Sequence, residues 1–143
     1  MKHLDVFEPT LRKTSQWLTE IMAATGRDQP QWAYHALRAV MHALRDRLPA
    51  IEAIHLGAQL PMLVRGFYYE GWTPLDKPLK MDKDEFLLRI SSEFRNDPSA
   101  DPLRITRTVI EVMIAHLDCG EMTKIASVLP ADYYDFWPIS AAA

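Results

Sequence analysis

The fold is decided by the stretch from Tyr34 to Leu48, which reads YHALRAVMHALRDRL. Its apolar residues recur every three or four positions, as they do on one face of an α-helix. At 100° per residue they form a stripe less than about 120° wide, which predicts an amphipathic helix packed against a core. The residues of this stripe are Leu37, Val40, Met41, Leu44 and Leu48.

The same helical spacing continues through the rest of the chain, between ten prolines and five glycines that mark helix ends. No stretch alternates with period two for long enough to indicate a strand. The sequence therefore predicts an all-α protein of about eight helices. Helix caps are expected at Asp28, Asp82, Asp101 and Asp118, helix starts at Pro49, Pro61 and Pro130, and inward-facing residues at Leu11, Ile51, Ile54, Leu63, Leu117 and Val128.

An internal repeat is indicated when the sequence is shifted by 69 residues, which pairs 17–68 with 86–137 without a gap. Identical pairs include Leu48 with Leu117 and both Leu-Pro junctions, at 60–61 and 129–130. We expect two tandem four-helix repeats packed around a shared core, because half a chain of this length would be marginally stable alone. The prediction is a single globular domain, 1–143, with halves at 8–72 and 82–138 and a connector at 73–81.

Composition excludes several classes of protein. The net charge is −3 and there is one cysteine, Cys119, so neither nucleic-acid binding nor a disulfide framework is supported. No apolar run approaches the roughly 18 residues of a membrane-spanning helix. No signal segment is recognisable at the N-terminus, so we expect a cytoplasmic protein with no membrane association.

The densest cluster of chemically versatile side chains lies between Arg65 and Trp72. Aromatic side chains give a pocket contact area, and an arginine and a carboxylate can orient a polar ligand. We therefore take this segment as the candidate ligand-binding site. Its residues are Arg65, Tyr68, Tyr69, Glu70 and Trp72.

The same cluster has a structural alternative, in which aromatic rings seal the end of a helical bundle. If the segment is a site, Trp72 lines a cavity and Arg65 or Glu70 points into it unpaired. If it is structural, Arg65 is satisfied by a carboxylate or by carbonyls at a helix end, and Trp72 packs in the core.

A second polar cluster lies on the predicted helix at 34–48, away from its apolar stripe. We expect a solvated face here, with a modest anion site as the functional alternative, because two arginines on one face suit a phosphate or carboxylate. The spacing gives no metal site, since Zn²⁺ usually takes three or four protein ligands. The residues are His35, Arg38, His42 and Arg45.

The run 34–48 resembles a family of small prokaryotic proteins called domain of unknown function 2267, as do Glu52, His55-Leu56, Gln59-Leu60-Pro61 and the segment from Arg65 to Trp72. The resemblance covers nearly the whole chain. It implies an all-helical bacterial protein, and it implies no activity and no catalytic residue.

Taken together, these features favour a non-enzymatic binding or interaction module without a cofactor or metal, whose partner is another protein or a small molecule. Assembly into a homo-oligomer is compatible with this interpretation. The alternative is an enzyme or small-ligand-binding protein that uses a pocket near Arg65 to Trp72. The absence of a phosphate-binding glycine loop, a nucleophile elbow or paired carboxylates at a motif spacing leaves no catalytic residue to assign.

Overall fold

The computed structural model describes residues 4–138, and within them every regular element is helical. This confirms the all-α class, with the expected eighth helix present as a 3-10 helix at Ala131–Phe136. A short 3-10 helix at Asp5–Phe7, which the sequence did not indicate, leads into the first α-helix. The α-helices are α1 (Glu8–Thr25), α2 (Pro30–Arg47), α3 (Ala50–Gln59), α4 (Met62–Tyr69), α5 (Lys83–Ser92), α6 (Pro102–His116) and α7 (Cys119–Val128).

Helix α2 is the centre of the fold, and α1, α3, α4, α5 and α6 all pack against it. The predicted apolar stripe from Leu37 to Leu48 is fully buried. Four alanines widen the buried surface beyond this stripe, because a methyl side chain lets a neighbouring helix approach closely. These alanines are Ala33, Ala36, Ala39 and Ala43.

Several helix ends follow the local signals. The Asp82 side chain accepts a hydrogen bond from the Glu85 N–H at 2.8 Å, and the Glu85 side chain accepts one from the Asp82 N–H at 3.2 Å, so a capping box opens α5. Gly26 ends α1 with φ of 70°, a conformation that favours glycine. The expected cap at Asp28 is wrong. Gln29 occupies the N-cap position because Pro30, whose φ is preset for a helix, is the first residue of α2.

The bounds of α3 and α7 differ by 69 residues at both ends, as the repeat predicts. The two Leu-Pro junctions also have similar backbone angles, with φ/ψ of −79°/147° at Leu60 and −94°/158° at Leu129. Helix bounds related by the same shift of 69 residues do not determine the angles at which the helices of each half cross. The packing of two equivalent halves around a shared core therefore stays a prediction.

The expected inward positions Ile51 and Ile54 on α3 are wrong. Ile51 and Ile54 are 57% and 43% exposed, while Ala53 and Gly57 are buried. α4 packs against the face of α3 that carries Ala53 and Gly57, and the Tyr68 hydroxyl donates to the Ala53 carbonyl across this contact.

Leucine burial differs from expectation at other positions as well. Leu48 is fully buried, as predicted, but Leu117 is only partly buried because it lies beside a surface depression next to His116. Leu11 and Leu63 are 40% and 42% exposed. Val128 is 37% exposed.

Candidate functional site

Arg65 closes the carboxyl end of α3. Its Nε donates to the Gly57 carbonyl at 2.9 Å, and its Nη2 donates to the carbonyls of Ala58 and Leu60 at 3.2 and 2.9 Å. The last carbonyls of a helix have no partner within the helix, and a guanidinium satisfies them while favouring the negative end of the helix dipole. These are the contacts that the sequence analysis predicts for Arg65 if the cluster is structural.

Tyr68 is fully buried, and its hydroxyl donates to the Ala53 carbonyl at 2.6 Å. Burial raises the pKa of this phenol far above its usual range, with a smaller contribution from Tyr69. The hydroxyl therefore stays protonated and joins α4 to α3.

Tyr69 and Trp72 form an aromatic pair over α3. Their ring centroids are 5.6 Å apart, and the Tyr69 ring lies against Gly57. Trp72 is partly buried against the core, and its indole N–H is buried without a hydrogen-bond partner. Tyr69 and Arg65 thus contact α3, whereas Glu70 points elsewhere.

Glu70 lies on the side of α4 that faces α2, and its carboxylate is exposed. Its Oε1 accepts a hydrogen bond from Arg38 Nη2 at 2.8 Å. This bond, with the charge of Arg38, holds the pKa of the Glu70 carboxyl below its usual range. The carboxylate is therefore ionised at neutral pH. Of the five predicted site residues, the structure brings Arg65, Tyr69 and Trp72 together beside α3 and leaves Glu70 apart.

The predicted solvated face on α2 is covered over part of its length. His35 is exposed and Arg38 is partly exposed, but Arg45 is 4% exposed. Arg45 Nη1 donates to the carbonyls of Tyr68 and Glu70, at 2.5 and 2.6 Å. The carboxyl end of α4 thus lies on this face. The prediction of an anion site at Arg45 is wrong, because its guanidinium is hydrogen-bonded to carbonyls of the protein itself.

His42, like Arg45, hydrogen-bonds a backbone carbonyl at the carboxyl end of α4. Its Nε2 lies 2.6 Å from the Phe67 carbonyl, which can only accept, so Nε2 carries a proton. Burial lowers the pKa of the His42 imidazole, and the charges of Arg45 and Arg38 lower it further. The ring is therefore a neutral donor to the end of α4.

Asp46 continues this network toward the second half of the chain. It is 7% exposed and accepts from Arg45 Nε at 3.1 Å and from Arg89 on α5. Its own carbonyl accepts from the Leu79 N–H at 2.8 Å, which ties the connector 73–81 to α2. The sequence did not indicate the pairing of Asp46 with Arg89, and no local signal identifies it, since 43 residues separate the two.

Glu52 and Glu121, which are 69 residues apart, are both buried, at 8% and 9% exposure. Each has one carboxylate oxygen without a hydrogen-bond partner. Lys124 Nζ lies 3.5 Å from Glu52 Oε1, and this ion pair connects α7 with α3.

A groove of about 900 Å³ lies between α1 and α4, with the start of α2 as its floor. Phe7 and Leu11 on one wall are 43% and 40% exposed, and Met62 and Leu63 on the other are 50% and 42% exposed. We call this feature the α1–α4 groove. It is lined by Phe7, Thr10, Leu11, Thr14, Leu18, Pro30, Gln31, Tyr34, Met62, Leu63, Gly66, Phe67 and Glu70.

The polar groups of the α1–α4 groove are few, and two of them are used internally. The Thr10 hydroxyl accepts from the Leu63 N–H at 2.8 Å, and the Thr14 hydroxyl donates to the Thr10 carbonyl at 2.7 Å. Of the five predicted site residues, Glu70 alone lines the groove. The groove therefore offers apolar contact and one carboxylate, which suits binding better than acid–base chemistry.

Sequence analysis missed the α1–α4 groove because it assigned Leu11 and Leu63 to the core. One signal could have identified it, since Gly66 stands among apolar residues in the middle of a helix. Across residues 4–138, no group of three or more His, Cys, Asp or Glu side chains is arranged to hold a metal ion. None of the helices described is both long and apolar enough to cross a membrane.

Comparison with known protein families gives one match, to a family described as an uncharacterized conserved protein, DUF2267, over residues 14–136. No curated protein matches the chain. The matched region extends from α1 to the last residue of the 3-10 helix at Ala131–Phe136, so it includes the central helix, the candidate cluster and most of the groove. The chain therefore belongs to the DUF2267 family of uncharacterized conserved proteins.

Proposed function

We propose that this protein is a non-enzymatic interaction module that binds an amphipathic helix of a partner protein in the α1–α4 groove. The observation that carries the proposal is the groove itself, about 900 Å³ in volume, with exposed leucine, methionine and phenylalanine side chains on both walls. Contiguous exposed apolar surface in a folded domain is characteristic of a binding site. A helix laid in a hydrophobic groove is a recurring mode of peptide recognition.

The dimensions of the groove favour a helix as its occupant. The α1 wall extends from Phe7 to Leu18, which is roughly 16 Å at the rise of a helix. Three helical turns have the same length, and a helix with side chains is about 10–12 Å across. A single acyl chain of that length is much thinner and would leave most of the volume unfilled.

The shape also favours a different protein over a second copy of this chain. The apolar residues lie on the walls of a concave surface, and two concave surfaces placed face to face would enclose a large void. A void loses the dispersion contacts that close packing supplies. The partner is therefore convex, as a single helix is. A homo-oligomer formed through this face would contradict the proposal.

A small apolar molecule is the second candidate, because the groove volume lies within the usual range for ligand pockets, about 300–1,000 Å³. In this alternative Gln31, Tyr34 and Glu70 are the polar groups available to orient the ligand. An enzyme would need a nucleophile or an acid–base pair facing the same space. The lining residues supply one carboxylate, Glu70, and one phenol, Tyr34, while the Thr10 and Thr14 hydroxyls are bonded within the protein.

The proposal is tested by titrating the isotopically labelled protein with a helical peptide of about 14 residues, with leucines at the spacing i, i+3, i+4, i+7 and with lysine and glutamine elsewhere. We expect amide shift changes confined to α1, α4 and the start of α2. The double variant Leu11→Gln, Met62→Gln should weaken binding at least tenfold. Leu88→Gln, at a residue that is 70% exposed on α5, is the matched control and should leave binding unchanged.

Two results would overturn the proposal. One is the absence of saturable binding, and the other is binding that the Leu11→Gln, Met62→Gln variant does not weaken. A parallel titration with lauric acid separates the second candidate. Saturable shifts in the groove with lauric acid, and none with the peptide, would assign the groove to a small apolar ligand.

A further inference from the structure

We infer that the helix accepted by the α1–α4 groove crosses α4 at Gly66 and carries a basic side chain that pairs with Glu70. This inference rests on the proposed function and specifies the chemistry of the partner. It combines a glycine at which an added side chain would meet no neighbouring atom with the charge of Glu70, the ionised residue among the groove-lining residues of the described chain.

Gly66 has no explanation in the packing of the chain itself. A Cβ added at this position would meet no atom within 4 Å, whereas at Gly57 it would overlap the Tyr69 ring. Glycine in the middle of a helix is less stable than alanine by about 1 kcal/mol, so an exposed glycine in α4 weakens the helix without an internal benefit.

The missing side chain at Gly66 instead favours the approach of a molecule that binds from outside the protein. A missing side chain lets another backbone approach the helix closely, and Gly66 lines the α1–α4 groove between the apolar residues Leu63 and Phe67. We therefore place the closest approach of the partner helix at Gly66. A small residue on the partner at this crossing would bring the two backbones closest together.

Glu70 determines the charge that the partner presents. It is four residues after Gly66, so the two share one face of the helix end. Among the groove-lining residues described, Glu70 is the charged one, and it is ionised at neutral pH. Arg38 bonds its Oε1 from the α2 side, which holds the carboxylate in place, and a carboxylate has about four acceptor sites for further donors.

Charge complementarity therefore favours a lysine or arginine on the partner helix, one turn from the crossing. A like charge at that position would face Glu70 and be repelled. The partner class that follows is a basic amphipathic helix with a small residue at its centre.

The experiment uses two helical peptides of about 14 residues that share the leucine stripe and a central alanine. They differ in having lysine or glutamate at every position that flanks the stripe. Each is titrated against the wild-type protein, Glu70→Lys and Gly66→Leu. Thermal unfolding of each variant confirms that it is folded before the titration.

We expect the wild-type protein to bind the lysine peptide at least about tenfold more tightly than the glutamate peptide, with a preference that shrinks as salt is added. Glu70→Lys should reverse the preference, and Gly66→Leu should weaken both peptides. If both peptides bind equally to wild type and to Glu70→Lys, or if Gly66→Leu binds as wild type does, the inference is wrong. In that case the proposed function still stands, provided that the Leu11→Gln, Met62→Gln variant abolishes binding.

Discussion

The ring of Tyr69 fills the space that a side chain at position 57 would occupy, so Gly57 and Tyr69 form one contact between α3 and α4. The Gly57 carbonyl also accepts a hydrogen bond from Arg65, which lies one turn before Tyr69 on α4. The helix pair is therefore held by backbone atoms of α3 and side chains of α4.

Gly57→Ala should destabilise the protein by about 1–3 kcal/mol, because the added methyl group overlaps the Tyr69 ring and displaces it from its packing against α3. Urea denaturation measures the effect. Gly66→Ala is the matched control, since the same change there meets open space and should stabilise the protein by about 0.5–1 kcal/mol. Equal effects of the two substitutions would contradict the packing described for Gly57.

Arg65→Ala should lower the free energy of unfolding by about 1–2 kcal/mol, because three carbonyls at the end of α3 lose their donor. Binding of the lysine peptide in the α1–α4 groove should be unchanged, since Arg65 does not line it. Glu70→Gln is the opposite case, with an unchanged denaturation midpoint and weaker binding of the lysine peptide. Weaker peptide binding by Arg65→Ala at unchanged stability would instead make Arg65 a binding residue.

The stability of the protein should fall as the pH drops below about 6.5, the ordinary pKa of histidine. The folded protein holds the pKa of His42 below that value, so between the two pKa values the unfolded chain binds more protons. The contribution of the neutral His42 ring to the free energy of unfolding is therefore complete above pH 6.5. It is lost as the pH falls toward the pKa of His42 in the folded protein.

His42→Gln is the matched variant for this pH dependence, because the glutamine amide can donate to the Phe67 carbonyl without titrating. Urea denaturation of both proteins across this pH range should show a steeper loss of stability for wild type. Parallel curves for the two proteins would show that His42 does not contribute.

A fragment containing residues 1–72 should be largely unfolded when it is expressed alone. Helix α2 buries one side against α5 and α6, and Asp46 would lose Arg89. Asp46 keeps Arg45 as a cationic partner in the fragment, so the larger cost is the exposure to water of the apolar surface that α2 buries against α5 and α6. Far-UV circular dichroism of the fragment measures the outcome. A cooperative thermal transition of the isolated fragment would instead show two independent domains.

The sequence by itself determined the helices and the buried stripe of α2. Periodicity from Leu37 to Leu48 and the capping box at Asp82 and Glu85 are local properties, because a residue and its neighbours three or four positions away suffice to define them. These predictions were accordingly confirmed, and the class of fold followed from them.

Only the tertiary structure decided which polar side chains became solvated and which apolar ones stayed exposed. Arg45 was expected on a solvated face, but the carboxyl end of α4 lies over it and accepts its hydrogen bonds. Ile51 was expected in the core, but α4 packs against the face of α3 that carries Ala53, and Ile51 is exposed. The same is true of the α1–α4 groove, which exists because no helix of the described chain covers the walls of α1 and α4. The burial of a side chain depends on which helix, distant in sequence, packs against it. The spacing of residues within one helix does not determine which helix that is.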